Sequence, residues 1–294
     1  MKIKSLNLGL ILLASFFIMA CSTEKELDNI FYCFNNGVRT LPNAPVGFEA
    51  QAALVKRLGY DGLAGHTEDN YHELRAAMDK VDLEMPEMYI AMNIVDGKIS
   101  YHEALKNILE HSKDRNLLVA LHLHADEYTD DKATGDELFV EGIRELADFA
   151  APFNVDIAIY PHVNFYCETM AHAVDLAERI DRKNAGVILN LCHLLKVEGE
   201  KGWEEKALAA QPQLFMVSLN GADSGNTKQM GWDRLIQPLG EGSFDTYELV
   251  KLLKDNGYDG KFGLQCYNIN QDCEVALTKS IQTWKEYQMR YWEE

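Results

Sequence analysis

Histidines are concentrated at the points where strand-like segments of the chain end. Five of the nine histidines end or closely follow such a segment: His66, His122, His124, His162 and His193. Imidazole has an ordinary pKa near neutrality, so it can take up or release a proton at physiological pH. A buried imidazole also needs hydrogen-bonding partners. Five of them at strand ends therefore favour a functional pocket over simple packing.

Other polar residues occupy the same kind of position. These are Glu87, Tyr160, Asn190, Asn220, Asp223, Gln265 and Tyr267. Alternate residues of a strand point to one face, and the carboxyl ends of parallel barrel strands converge on one mouth. We expect these residues to share a pocket with the five histidines. The structural alternative is a buried amide network of Asn190, Asn220 and Gln265 that only closes the barrel mouth.

The elements that must position these side chains alternate regularly along the chain. The predicted strands are 30–36, 61–66, 85–92, 117–124, 155–162, 185–191, 214–220 and 261–267. The predicted helices lie near 47–58, 69–80, 101–113, 135–151, 167–181, 202–210, 244–256 and 273–292. Such alternation predicts a parallel sheet, and eight units of this length predict an α/β protein with a (β/α)8 TIM barrel. An open doubly wound sheet is the alternative, but no G-x-G-x-x-G or P-loop motif is present.

The N-terminal segment has the pattern of a bacterial lipoprotein signal. Lys2 and Lys4 precede an apolar run at 6–19 that is short for a membrane span, and the run IMAC at 18–21 resembles a lipobox. We predict that Cys21 carries lipid and anchors the protein on the periplasmic or surface side of the cell envelope. The predicted organisation is a signal peptide at 1–20, a tether at 21–29 and the barrel at 30–294. An ordinary signal peptide or an uncleaved anchor is the alternative.

Charge and cysteine content exclude some functions. The net charge is −18, and removal of Lys2 and Lys4 with the leader makes it −20. A surface this acidic repels phosphate backbones, so we expect no nucleic-acid partner. The cysteines after Cys21 are odd in number and lack metal-type spacing, which favours buried free thiols.

Four motifs resemble the xylose-isomerase-like TIM barrels, which include sugar isomerases, sugar epimerases and AP endonucleases of type 2. They are YPH at 160–162, LNLCH at 189–193, NGAD at 220–223 and the stretch from PLGEGSFD to LQCY at 238–267. The resemblance implies one divalent metal, held by Glu, Asp, His and Glu at the ends of strands 5 to 8. The matching residues in this chain are Tyr160, Asn190, Asn220 and Gln265. Because no carboxylate remains among them, the family's metal site and its two-glutamate proton shuttle are both in doubt.

Two interpretations of this site remain open. The favoured one has no metal: His124, His162, His193 and Glu87 are catalytic, and the amides and Tyr160 bind sugar hydroxyls. The other is a rebuilt metal site in which His124, His162 and His193 hold Zn²⁺ or Mn²⁺, since three imidazoles suit such an ion.

Aromatic residues near the same strand ends favour a carbohydrate ligand, because the C–H faces of sugars pack on aromatic rings. They are Phe34, Phe165, Tyr166 and Trp232. No basic cluster marks a phosphate site, so we expect an unphosphorylated sugar or keto sugar. The resemblance implies a sugar isomerase or epimerase. The alternatives are a lyase or hydratase that acts on an oxidised sugar, and a non-catalytic carbohydrate-binding lipoprotein.

Overall fold

The computed structural model describes residues 26–65 and 68–294. Two residues predicted from the sequence to be functional, Cys21 and His66, lie outside these ranges, as does the predicted signal peptide. No helix within the described ranges is both long enough and apolar enough to cross a bilayer.

The chain folds into a barrel of eight parallel strands with one additional strand. The strands are β1 (Phe31–Cys33), β2 (Gly62–Leu63), β3 (Glu87–Val95), β4 (Lys98–Tyr101), β5 (Leu118–His124), β6 (Asp156–Ile159), β7 (Ala185–Asn190), β8 (Leu214–Leu219) and β9 (Lys261–Leu264). Their order in the sheet is β2-β1-β9-β8-β7-β6-β5-β3-β4. Parallel bridges from Gly62 to Glu84 and from Gly65 to Met88 join the two edges. The sheet is therefore closed, and the predicted (β/α)8 barrel is confirmed.

The additional strand β4 forms a hairpin with β3. The two strands pair antiparallel from Met92–Tyr101 to Val95–Lys98. Asp96 and Gly97 form the turn with φ of +51° and +69°, as expected for an Asp-Gly hairpin. The prediction that the strand ends at 92 and a helix starts near 101 is wrong, because the chain continues into this hairpin and the helix begins only at 105.

Eleven α-helices occur in the described part of the chain. They are α1 (Asn36–Arg39), α2 (Phe48–Leu58), α3 (Tyr71–Asp79), α4 (Leu105–His111), α5 (Lys132–Ala150), α6 (Met170–Ile180), α7 (Leu191–Val197), α8 (Trp203–Ala210), α9 (Trp232–Leu235), α10 (Thr246–Asp255) and α11 (Cys273–Glu293). Side chains cap several of them: Asp131 accepts from the backbone of Thr134 at α5, and Thr169 accepts from that of His172 at α6. The short helices α1, α7 and α9 lie in the connections after β1, β7 and β8, so they shape the barrel mouth.

Two apolar layers hold the barrel together. The larger layer fills the space between the strands and the surrounding helices. The smaller layer fills the barrel interior and includes Tyr32, Ala120, Ala158, Ile188 and Met216, all fully buried. Removing this apolar surface from water is the main stabilising contribution. The interior layer fills the barrel beneath its mouth.

Candidate active site

A cavity of about 510 Å³ opens at the carboxyl-terminal mouth of the barrel. Its volume lies within the range of roughly 300–1,000 Å³ that is usual for small-molecule sites. Six residues predicted from the sequence line it: Glu87, Tyr160, His162, His193, Gln265 and Tyr267. Since barrel enzymes carry their active sites at this end, the cavity is the candidate active site.

Glu87 lies deep in the cavity, at the first residue of β3. Its Oε2 accepts a hydrogen bond of 3.3 Å from the Tyr32 hydroxyl, while Oε1 has no partner among the described residues. Burial raises the pKa of Glu87 to about 8, although the Tyr32 hydrogen bond and the charge of Lys261 both act to lower it. Glu87 is therefore protonated at neutral pH and can donate a proton to a ligand.

Tyr160, Asn190 and Gln265 form a hydrogen-bonded network at one wall of the cavity. The Asn190 amide donates to the Tyr160 hydroxyl, and the Gln265 side chain also contacts that hydroxyl. Gln265 Oε1 accepts from the backbone N–H groups of Cys266 and Tyr267, both at 3.0 Å, and from Asn36. Burial raises the pKa of Tyr160 well above its ordinary value, so the phenol remains a proton donor.

His162 offers a neutral imidazole to the cavity. Its Nδ1 lies 2.8 Å from the carbonyl oxygen of Val163, so Nδ1 carries the proton and Nε2 is left as a proton acceptor. The ring stacks on Phe165 with a centroid separation of 3.9 Å. Burial lowers the pKa of His162, although the bond to Val163 opposes this shift. His162 is thus unprotonated at neutral pH.

His193 packs beside His162 with ring centroids 3.8 Å apart. Asn190 fixes its position, because Asn190 caps α7 by accepting from the His193 backbone N–H at 3.3 Å. The side chain is buried, and Nδ1 has no partner among the described residues. Burial, and then the proximity of His162, lower the pKa of His193 to about 2. His193 is therefore a weak proton acceptor, better suited to hydrogen bonding with a ligand than to catalysis as a base.

His122 and His124 share a face of β5 as predicted, but neither lines the cavity. Their Nδ1 and Nε2 atoms lie 2.6 Å apart. His124 lies against the Phe165 ring at 4.2 Å, and His122 stacks on Tyr89 at 4.1 Å. Burial lowers the pKa of His122 to about 3 and also lowers that of His124. The two histidines are partly exposed but do not belong to the lining, because the Phe165 and Tyr89 rings, which do line the cavity, lie against them.

Two predicted residues from the connection after β8 also lie away from the cavity. Asn220 is buried and its amide nitrogen donates to the carbonyl oxygens of Gly221 and Leu235. Asp223 forms an ion pair of 2.8 Å with Arg234. The prediction that they share the pocket is wrong, since both are used to fold the long loop that follows β8. Asn190 likewise stands behind Tyr160 rather than in the lining.

Several lining residues were not among the predicted polar site residues. They are Phe34, Asn35, Asn36, Arg39, Thr40, Tyr89, Val163, Asn164, Phe165, Trp232 and Ile236. Three of them, Phe34, Phe165 and Trp232, are aromatic residues expected to pack on a sugar. Four of the others lie on or beside the short helix α1, where the sequence pattern predicts that strand 1 continues to residue 36. The Asn35-Asn36-Gly37 run was the available signal, because such residues favour turns over strand interiors.

The residues at the family's metal positions do not fit a divalent ion. Asn190 Oδ1 accepts from the His193 N–H and the Cys192 thiol, and Gln265 Oε1 accepts from two backbone N–H groups. Hard cations prefer carboxylates. In residues 26–65 and 68–294 no group of three or more His, Cys, Asp or Glu side chains is placed to hold a metal, and this includes the alternative set His124, His162 and His193. The Asn190 and Gln265 side-chain oxygens are engaged in hydrogen bonds within the protein.

Comparison with known proteins assigns the sequence to a family of TIM barrels. A family model described as "Xylose isomerase-like TIM barrel" matches residues 52–287. No curated protein matches the sequence significantly.

Solved structures with the same fold have low sequence identity to this chain. A 3-keto-D-glucoside 4-epimerase from E. coli is 16% identical with a TM-score of 0.67, covering 88% of this chain and 99% of its own. An IOLI protein with a bound zinc atom is 17% identical with a TM-score of 0.69, covering 88% and 98%. A D-psicose 3-epimerase from Clostridium cellulolyticum H10 is 16% identical with a TM-score of 0.65, covering 89% and 99%. At identities this low, the structural similarity demonstrates a shared fold.

Proposed function

This chain belongs to the xylose isomerase-like TIM barrel family, and we propose that it is an enzyme that moves a proton beside the carbonyl group of an unphosphorylated keto sugar. The observation that carries the proposal is the composition of the cavity. The cavity contains a neutral imidazole, that of His162, which has a nitrogen free to accept a proton. It also contains two buried acids that retain their protons, Glu87 and Tyr160. Two of the similar structures are named as epimerases of keto sugars, which supports this substrate class.

The reaction begins with removal of a proton from the carbon next to the substrate carbonyl. Nε2 of His162 accepts this proton, because Nδ1 is held by the Val163 carbonyl. Negative charge then develops on the carbonyl oxygen. The Tyr160 hydroxyl, fixed by Asn190 and Gln265, donates a hydrogen bond to that oxygen and stabilises the enolate. Delivery of the Glu87 proton to the opposite face of that carbon completes an epimerisation, and the proton on His162 then returns to Glu87 through solvent. Delivery of the His162 proton to the former carbonyl carbon, with transfer of the hydroxyl proton of the deprotonated carbon to the former carbonyl oxygen, completes an isomerisation instead.

A lyase or hydratase is the second candidate function, and the unequal acid and base groups favour it. An elimination needs one base for the carbon-bound proton and one acid for the leaving group. Neutral His162 can act as the base and protonated Glu87 as the acid. A two-carboxylate shuttle, by contrast, uses two chemically similar groups. The mass of the product separates the two functions, because isomerisation conserves mass while elimination divides the substrate or releases water.

The first prediction is that purified protein converts at least one keto sugar from a panel of 2-keto and 3-keto sugars and glycosides after treatment with a strong chelator. The reason is that the site supplies its own proton acceptor and donors. Mass spectrometry and NMR of the products measure the conversion. Activity that disappears with chelator and returns with Zn²⁺ or Mn²⁺ would replace this mechanism with a metal-dependent one. Saturable sugar binding without turnover would instead support the non-catalytic carbohydrate-binding protein.

The second prediction concerns location, where we retain the proposal of a lipid anchor in the cell envelope. Cys21→Ser should leave the protein unprocessed or move it out of the membrane fraction, because the lipid is attached to that thiol and no other anchor is proposed. Metabolic labelling with a radioactive fatty acid, followed by fractionation, measures the change. Cys33→Ser is the matched control, since Cys33 is a buried core thiol. Equal labelling of the wild type and Cys21→Ser would disprove the lipid anchor.

A further inference from the structure

Arg39 differs from the other arginines in having no ion-pair or hydrogen-bonding partner within residues 26–65 and 68–294. All nine arginines belong to the described residues. Eight donate to a carboxylate or a backbone carbonyl: Arg57, Arg75, Arg115, Arg144, Arg179, Arg182, Arg234 and Arg290. Arg39 forms neither an ion pair nor a hydrogen bond with any described residue. In a chain with a net charge of −18, carboxylate partners are abundant, so this exception is informative.

Arg39 is an exposed residue that belongs to the lining of the cavity. Arg39 is the last residue of α1, a short helix anchored to the barrel by the buried residues Gly37 and Val38. Asn36 secures the same helix, because its Oδ1 accepts from the Cys266 N–H at 3.2 Å and its amide donates to Gln265. The backbone that carries Arg39 is therefore fixed relative to the network around Gln265.

Arg39 also determines the charge of the cavity. The other ionisable groups among the described lining residues are neutral near pH 7: Glu87 holds its proton, and His162 and His193 do not gain one. A guanidinium stays charged at any pH that the protein withstands. The cavity thus presents one positive charge in a protein that is strongly negative elsewhere.

We propose that the substrate carries a carboxylate group and that Arg39 binds it at the mouth of the cavity. This inference builds on the proposed function and narrows its substrate to a sugar acid or a glycoside of one. The planar guanidinium matches a carboxylate with two parallel hydrogen bonds. A single cation suits a singly charged anion better than a phosphate dianion. Lys196, which lies over the lining residue Trp232, donates instead to the Met230 carbonyl at 2.7 Å.

The test is titration calorimetry at low ionic strength, where an exposed charge is least screened. The ligands are glucose, galactose and mannose. The affinity for each neutral hexose is compared with the affinities for its uronate and its 6-phosphate. We expect at least one uronate to bind roughly tenfold more tightly than its neutral partner. Arg39→Gln should abolish this preference, and Arg39→Lys should retain part of it. Arg115→Gln, which alters a surface ion pair with Asp79, should preserve it.

Three results would overturn the assignment: no uronate preferred in any pair, a preference that survives Arg39→Gln, or tighter binding of a 6-phosphate than of the matching uronate. These outcomes are distinct from failure of the proposed function. Tight uronate binding that depends on Arg39, in a protein with no turnover, would disprove the proposed enzymatic function and support the carboxylate site. Turnover of neutral keto sugars with no uronate preference would support the proposed enzyme and disprove the carboxylate site.

Discussion

Replacing His162 by glutamine is expected to lower kcat by about 10²–10⁴-fold, the usual contribution of a general base. His162 is the histidine that both lines the cavity and has an acceptor nitrogen set by its contact with Val163. Glutamine retains polar atoms at the site but does not take up a proton at neutral pH. The substrate should still bind, so KM should change much less than kcat. Steady-state kinetics on the keto sugar identified in the panel measures both.

Two other histidines serve as comparisons for His162. His111→Gln is the matched control, because His111 is exposed on α4 and contacts the Asn107 carbonyl and the His72 ring, both away from the cavity lining; its kcat should equal that of the wild type. His193→Gln should reduce kcat less than His162→Gln, since burial already makes His193 a weak base. If His162→Gln retains kcat within about tenfold of the wild type, His162 is not the general base.

The barrel and the depth of its polar residues were predictable because they follow from periodicity. Strand parity placed Glu87, Tyr160 and Gln265 inside the barrel, where they line the cavity. Side chains alternate strictly along a strand, so one correct assignment fixes the face of the next residue. The same rule placed His122 and His124 on one face of β5, and their hydrogen bond shows that they share it.

Parity could not predict which inward residues reach the cavity. His122 and His124 are covered by Phe165, which arrives from the loop after β6. The conformation of that loop depends on tertiary contacts, such as the hydrogen bond from His162 N–H to the Cys167 carbonyl. No local pattern encodes such a contact. The position of Asp223 depends in the same way on Arg234, eleven residues later.

The short helices at the mouth were missed for a related reason. Helix α1 has four residues and α7 has seven, so neither produces a clear helical periodicity. Isolated helices of this length are unstable and form here because the barrel fixes their ends. The position of Arg39 has no local signal for this reason: it lies on α1, whereas the pattern predicts a strand that ends three residues later than β1 does.

The second large effect is expected for Glu87→Gln and concerns stability as a function of pH. The pKa of Glu87 is raised from 4.5 to about 8 in the folded protein, chiefly by burial. Below pH 4.5 the residue is protonated in both states, and above 8 it is ionised in both. Between these values only the unfolded chain releases the proton, so the unfolded state binds fewer protons and stability falls as pH rises. The loss over this window is on the order of 5 kcal/mol.

Glutamine has no proton to lose, so the variant should escape this decline. Urea unfolding at pH 5, 6, 7 and 8 should show the free energy of unfolding of Glu87→Gln rising relative to wild type with each step. His122 and His193, whose pKa values are lowered to about 3 and about 2, destabilise both proteins equally below pH 6.5 and cancel in the difference. Glu110→Gln, at an exposed position on α4, should parallel the wild type. If Glu87→Gln also parallels it, Glu87 ionises normally in the folded protein, and the proton assigned to it in catalysis must come from another group.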